Sequence, residues 1–252
     1  MRASHAIVRD VAESYDQCVT TQQESIDVPL AKTQHQHYCN ALKKAGVELI
    51  HIDADNRLPD CCFVEDTAII VDDVAIITNP GARSRREEVA AMEKAISKYR
   101  TVHRISPPAT IDGGDVLKVG KKIFVGLSQR TTQDSIDQVA QMVKSSNYEV
   151  IPVPIHKTLH LKSAVTALSD SYIIMAQGFF DARIFTGYEK IEVPPGEEYA
   201  ANCLSVNENI FIPRGFPQTK SLIVRAGFSI VELENSEFRK GDGALTCLSV
   251  LF

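Results

Sequence analysis

The chain has 252 residues, 44% of them apolar, enough to bury a sizeable core in one large domain or two small ones. Lys and Arg number 27 against 32 Asp and Glu, a net charge of -5 with no long block of one sign, which excludes nucleic acid as a natural partner. The opening MRASHAIVRD lacks the apolar core of a secretion signal, and no run reaches the ~20 apolar residues of a membrane span, so a cytoplasmic protein without membrane association is expected.

In chain order, His5 to Arg9 reads as a strand, Pro29 to Lys44 as a helix and Val47 to Ile52 as a second strand. His35 and His37 precede Cys39 within that helix, but a spacing of two turns them to different faces, which argues against a zinc site. Leu58 to Asp66, LPDCCFVED, then sets Asp60, Glu65 and Asp66 in an otherwise apolar run. A buried carboxylate requires an ion pair, a metal or a cationic ligand; the alternative is a solvated acidic loop.

From Ala68 a pattern repeats. Ala68 to Val71 and Val74 to Thr78 form a hairpin around Asp72-Asp73, followed by a helix within Arg83 to Tyr99 and a strand Thr101 to Ile105. The same ββαβ order returns with Val116 to Val119, a turn at Gly120-Lys121, Ile123 to Val125, a helix Thr132 to Lys144 and a strand Tyr148 to Val153. It returns again with Ala164 to Leu168, Tyr172 to Ala176, a short helix within Phe180 to Thr186 and Lys190 to Val193. The last copy runs Cys203 to Val206, a turn at Asn207 to Asn209, Ile210 to Ile212, a helix Thr219 to Ala226 and a strand Phe228 to Leu233. Spacings of roughly 40 to 50 residues fall in the range of repeat architectures. Ala244 to Phe252 reads as a final strand, and its pairing with His5 to Arg9 makes a fifth unit that closes the ring and removes open sheet edges. The expectation is one closed α/β propeller over residues 1–252; a conventional α/β sandwich is the alternative.

In such a ring, loops distant in sequence converge on the axis. Arg85 follows Gly81 by four residues and Arg130 follows Gly126 by four, so the two arginines occupy equivalent positions and would face one mouth, where guanidinium groups suit a carboxylate. Asp112-Gly113-Gly114-Asp115 marks a sharp turn before a hairpin, His160 opens the next, and Cys247 follows Gly241-Asp242-Gly243. Each has a plainer reading, as a surface arginine, a solvated turn, a packed histidine or an inert buried thiol. Together they describe a site for a zwitterion with a cationic head, and a guanidinium head suits a thiolate nucleophile. The other cysteines, Cys18, Cys39, Cys61, Cys62 and Cys203, are expected as free thiols; packing is the simpler role for the adjacent Cys61 and Cys62, modulation by oxidation or metal the other.

The motifs LPDCCFVED (58–66), ITNPGARSRREE (77–88), TIDGGDVL (110–117), FVGLSQRT (124–131), LHLKS (159–163), AANC (200–203) and DGALTC (242–247) resemble, in order along nearly the whole chain, those of the dimethylarginine dimethylaminohydrolase family in the amidinotransferase and deiminase superfamily. The resemblance implies a five-fold pseudosymmetric α/β propeller, the pentein fold. It implies Cys247 as nucleophile, His160 as general acid and base and Asp112 as the carboxylate that orients it. Asp60 and Asp66 would hold the guanidinium and Glu65 would fix the pocket or the amine. Arg85 and Arg130 would bind the amino-acid end, Phe63 would sit in the same pocket, and backbone groups at Val19 and Gly241 would complete the amine contacts. Gly241 stands where the family usually carries a branched apolar residue, and Asp112 is Glu in some relatives. The implied reaction converts methylated arginines to citrulline through a covalent S-alkylthiouronium, with no metal or organic cofactor, in a monomer or homodimer. An arginine deiminase or other guanidino hydrolase would use the same residues, and a non-catalytic arginine binder would have no need of the thiol.

Overall fold

Fifteen strands form five separate three-stranded sheets in the computed structural model, which describes residues 3–252. The first sheet holds β1 (His5–Arg9) and β2 (Glu48–Ile52), joined by helix α1 (Val28–Lys44), whose N-terminus Asp27 caps by accepting from the Leu30 N–H. The next holds β3 (Ala68–Val71), β4 (Val74–Ile77), α2 (Val89–Ile96) and β5 (Thr101–Arg104). There follow β6 (Val116–Val119), β7 (Lys122–Leu127), α3 (Gln133–Met142) and β8 (Glu149–Pro154), then β9 (Val165–Ala167), β10 (Tyr172–Met175) and β11 (Glu189–Glu192). The last repeat is β12 (Leu204–Val206), β13 (Asn209–Pro213), α4 (Pro217–Arg225) and β14 (Ser229–Leu233), followed by a short helix α5 (Ser236–Lys240). Strand β15 (Val250–Leu251) returns to pair antiparallel with β1, which pairs in parallel with β2, so the first sheet has the same internal order as the others.

Three hairpins turn in two residues, and the first of each pair, Asp72, Gly120 and Asn207, has φ between 49° and 56°. Asp, Gly and Asn tolerate this left-handed conformation, which explains why these residue types punctuate the repeat.

The middle strand of each sheet is buried on both faces, and its alternating side chains serve two different cores. In β4, Ala75 and Ile77 join Ile7 and Val250, whereas Ile76 joins Ile123 and Val125 of β7. Phe124 of β7 turns instead to Ile173 and Met175 of β10, and Ile174 turns to Ile210 and Ile212 of β13. Phe211 finally packs with Ala6 and Val8 of β1. The chain of neighbours returns to its start, so the sheets form a ring, as the repeat requires.

Three expected elements differ. Ala244 to Phe252 is a strand only at Val250–Leu251, because Thr246–Leu248 winds into a 3-10 turn. Phe180 to Thr186 shrinks to a 3-10 turn at Ala182–Phe185. The helix expected from Arg83 begins as a 3-10 segment, Arg83–Glu88, in which Arg85 and Glu88, three apart, lie one above the other and pair.

Ile7 is fully buried at the seam between the closing sheet and its neighbour. Ile7→Ala should lower stability by about 2–5 kcal/mol, read as a fall in the urea midpoint with little change in slope.

Candidate active site

A 3-10 turn, at Val64–Thr67, Gly113–Asp115, Leu161–Ser163, Glu198–Ala201 and Thr246–Leu248, precedes β3, β6, β9, β12 and β15 with at most two residues between. These turns carry or flank Glu65 and Asp66, Asp112, His160, Asn202 and Cys247. The ring therefore gathers residues far apart in sequence at one end of its axis.

Val19, Asp60, Phe63, Asp66, Arg85, Arg130, His160, Gly241 and Cys247 line one cleft. Asp112 lies behind it, wholly buried, with Oδ2 3.0 Å from His160 Nε2 and Oδ1 accepting from the Gly81 N–H at 2.9 Å. Asp66 accepts from the Gly114 N–H at 2.8 Å and from Arg85 Nη1 at 2.5 Å. A Cβ on Gly114 would lie 2.6 Å from His160 Nδ1 and 2.9 Å from Asp66 Oδ1, so the DGGD turn is glycine where the imidazole and carboxylate press on the backbone. Burial alone would lower the His160 pKa, but Asp66, Asp112 and Asp115 outweigh it and push it up to about 9. Asp66 would itself be raised by burial, yet His160 and Arg85 hold it down to about 2. Burial, followed by Glu65 and Asp66, pushes the Cys247 thiol well above its ordinary range. The surrounding protein groups thus favour imidazolium beside neutral thiol.

The remaining candidates, Glu65 apart, share that cleft and differ in how firmly the protein itself engages them. Arg85 is buried, with Nε, Nη1 and Nη2 engaged by Glu88, Asp66 and the Phe63 carbonyl, so it braces the acidic stretch and is not an open clamp. Arg130, 3.8 Å from Asp112, is the more open guanidinium. Asp60 accepts from the Val19 N–H at 3.1 Å, which ties this cleft carboxylate to the N-terminal segment. That segment is held from the other side by Asp242, which accepts from the Thr21 N–H and the Gln22 side chain. At Gly241 a Cβ would lie 2.5 Å from Tyr15 Oη and 3.1 Å from Cys18 Sγ, so these side chains fill the space a branched residue would need. Phe63 packs on the backbone of Gly243 and fixes the turn leading to Cys247.

Glu65 lines a different cavity, of about 180 Å³, together with Lys162 and Thr246. Its oxygens accept from Lys162 Nζ at 2.5 Å and Thr246 Oγ1 at 2.8 Å. Asn202 accepts from the Thr246 N–H and donates to the Lys162 carbonyl and Thr246 Oγ1. Lys162, Thr246 and Asn202 were not singled out from the sequence; Lys162 stood two residues from His160 within the quoted LHLKS motif, but its partner is 97 residues away. Cys61 and Cys62 are buried and do not line the cleft. Among the described residues, the one His, Cys and acid grouping close enough for a metal is Asp66, Asp112 and His160, and each of these already has a protein partner.

A family model described as N,N dimethylarginine dimethylhydrolase, eukaryotic, matches residues 7–192. The chain belongs to the dimethylarginine dimethylaminohydrolase family. It is 35% identical to the N(G),N(G)-dimethylarginine dimethylaminohydrolase of Pseudomonas aeruginosa over 98% of this chain and 99% of the relative. It is also 35% identical to that of Streptomyces coelicolor, over 99% and 97%. A Pseudomonas aeruginosa dimethylarginine dimethylaminohydrolase structure, a cysteine-to-serine mutant complexed with citrulline, superposes with a TM-score of 0.96 at 34% identity, covering both chains fully. The N-terminal domain of a cyanobacterial arginine dihydrolase, at 19% identity and TM-score 0.89, shares the fold. The protein is thus an α/β propeller of the pentein type within the dimethylarginine dimethylaminohydrolase family.

Lys162→Met would leave Glu65 buried without its cation. A loss of about 3 kcal/mol is expected in urea denaturation, most of it recovered in Lys162→Met/Glu65→Leu.

Proposed function

We propose that the protein hydrolyses asymmetric dimethylarginine and monomethylarginine to citrulline and the corresponding methylamine, with Cys247 as nucleophile. The observation that carries the reading is the meeting, in one cleft, of Cys247, the His160–Asp112 pair and the Asp66 carboxylate, with Arg130 on the same wall. Family membership supports it.

A substrate guanidinium would settle against Asp66, with Glu65 acting as a fixed negative charge behind it. The α-carboxylate would meet Arg130, and the α-amine Asp60 with the carbonyls near Val19 and Gly241. The incoming positive charge offsets the two carboxylates that raise the Cys247 pKa, so binding itself favours loss of the thiol proton to solvent. The thiolate attacks the guanidinium carbon and its C–S bond forms. The imidazolium of His160 protonates the departing dimethylamine, and the C–N bond breaks to leave an S-alkylthiouronium. Neutral His160 then takes a proton from water, and the hydroxide adds to the same carbon. The C–S bond breaks, the thiolate returns, and the proton shed as citrulline forms leaves with the amine as dimethylammonium. Asp112 holds the imidazole in orientation for both transfers.

The protein is proposed to work as one domain over residues 1–252, as a monomer or homodimer, without a metal or organic cofactor. No helix among the described residues is long and apolar enough to cross a membrane. The six free cysteines fit a reducing compartment, proposed to be the cytoplasm.

Citrulline release should be seen with both methylated arginines and be far slower with arginine; Cys247→Ser should lower it by at least about 10³-fold. Turnover confined to arginine would overturn the methylarginine reading. Because the reactive form is the thiolate and the free thiol is raised, alkylation of the free enzyme by neutral iodoacetamide should still be accelerating above pH 8. A cationic haloacetamidine should react faster than iodoacetamide at pH 7; equal rates would remove the electrostatic argument.

A further inference from the structure

We propose that Asp115 is a positioning residue that locks His160, Asp112 and Arg130 into one rigid unit. This deepens the function proposed above and rests on the roles given there to His160 and Arg130. Asp115 is wholly buried and does not line the cleft, and the reaction scheme uses it only as one of the charges beside His160. Its Oδ1 accepts from the Leu161 N–H at 2.9 Å, which fixes the peptide directly after His160. Its Oδ2 accepts from Ser128 Oγ at 2.6 Å and Thr131 Oγ1 at 2.7 Å, on either side of Arg130. Ser128 Oγ in turn accepts from the Arg130 and Thr131 N–H groups at 2.9 and 3.1 Å. Thr131 Oγ1 accepts from the Asp112 N–H at 3.3 Å, and the Asp115 N–H donates to the Asp112 carbonyl at 3.0 Å. One carboxylate thereby touches the supports of the base, its orienting partner and the anion-binding arginine.

The chemistry requires a carboxylate there. Both hydroxyls already accept backbone N–H groups, so each must donate toward Oδ2, while Oδ1 faces another N–H. An asparagine would supply an acceptor on one side and place an NH₂ group against donors on the other. Space is equally restricted: a Cβ on Gly126 would lie 2.6 Å from Asp115 Oδ1 and 3.0 Å from the Leu161 Cβ, so β7 approaches without a side chain and leaves no room for a longer acid.

The test compares wild type, Asp115→Asn, Ser128→Ala and Thr131→Val, each normalised to the folded fraction from its thermal melt. Asp115→Asn should lower kcat on asymmetric dimethylarginine by about 10²-fold and raise KM, because His160 and Arg130 both lose registration. Ser128→Ala touches only the Arg130 side and should raise KM by up to about tenfold with kcat within about twofold of wild type, whereas Thr131→Val, which also frees the Asp112 N–H, should raise KM similarly and lower kcat as well. Alkylation of Cys247 by 2-chloroacetamidine, which needs no methylarginine turnover, should slow by at least about tenfold in Asp115→Asn. Folded Asp115→Asn with kcat, KM and alkylation rate within about twofold of wild type overturns the proposal. So does a loss of activity that merely follows the folded fraction. If Asp115→Asn does not fold, unchanged KM in both hydroxyl variants overturns it and raised KM supports it. If wild type releases no citrulline, the function above fails and the alkylation rates decide the role of Asp115.

Discussion

Burial of each sheet's middle strand on both faces is the constraint on which the molecule depends. A strand with apolar side chains on both sides must find a partner for each, and here each partner is the neighbouring sheet. Ile76 and Ile77, adjacent in sequence, belong to different cores, as do Ile123 and Phe124 or Ile210 and Phe211. An open row of such sheets would leave an apolar face uncovered at each end. The seam of Ala6, Val8 and Phe211 removes that exposure, and the β15–β1 pair completes the first sheet. Closure is therefore a packing requirement.

The ring provides an end of the axis where short turns meet, and the sequence fills it with charge. Asp66, Glu65 and Glu88 are buried there, and each has a cation or donor within hydrogen-bond reach: Arg85 for Asp66 and Glu88, Lys162 for Glu65. Buried ion pairs of this kind contribute little net stability and lose much when one member is removed. Their value is in fixing where negative potential falls, so that a cation arriving near Cys247 meets oriented carboxylates that need no rearrangement. Asp66, with Asp112 and Asp115, also holds His160 in its acid form, ready to protonate a leaving amine.

Much of this was legible in the chain. Doubly buried strands appear as continuous apolar runs, and two-residue turns at Asp72, Gly120 and Asn207 announce themselves by residue type, so the repeat and its closure could be read directly. The cleft residues emerged through motif order, since Asp66, Asp112 and His160 sit at corresponding entries to three successive sheets and Cys247 at that of the closing one. What stayed hidden is what sequence spacing does not encode. Lys162 and Glu65 are partners across 97 residues, and Asp115 looked like one acid of a glycine turn until its four neighbours were placed around it. Arg85 shows both sides: the repeat places it with Arg130 on one cleft, while its pairing with Glu88, three residues on, depends on the 3-10 turn that the helical spacing did not reveal.

That Asp66, Asp112, His160 and Cys247 enter from four different sheets has a bearing on how such a molecule tolerates change. The sheets that carry Cys247 and Asp66 pack through the apolar seam of Ile7, Ala75 and Val250, and those that carry Asp112 and His160 through that of Phe124, Ile173 and Leu161. Core substitutions in this chain act as adjustments of a tool's jaws, each seam opening or closing one particular gap. Drift in an interior methyl group, far from any polar atom, is for this architecture a route by which selectivity can be retuned while the reacting side chains themselves stay the same.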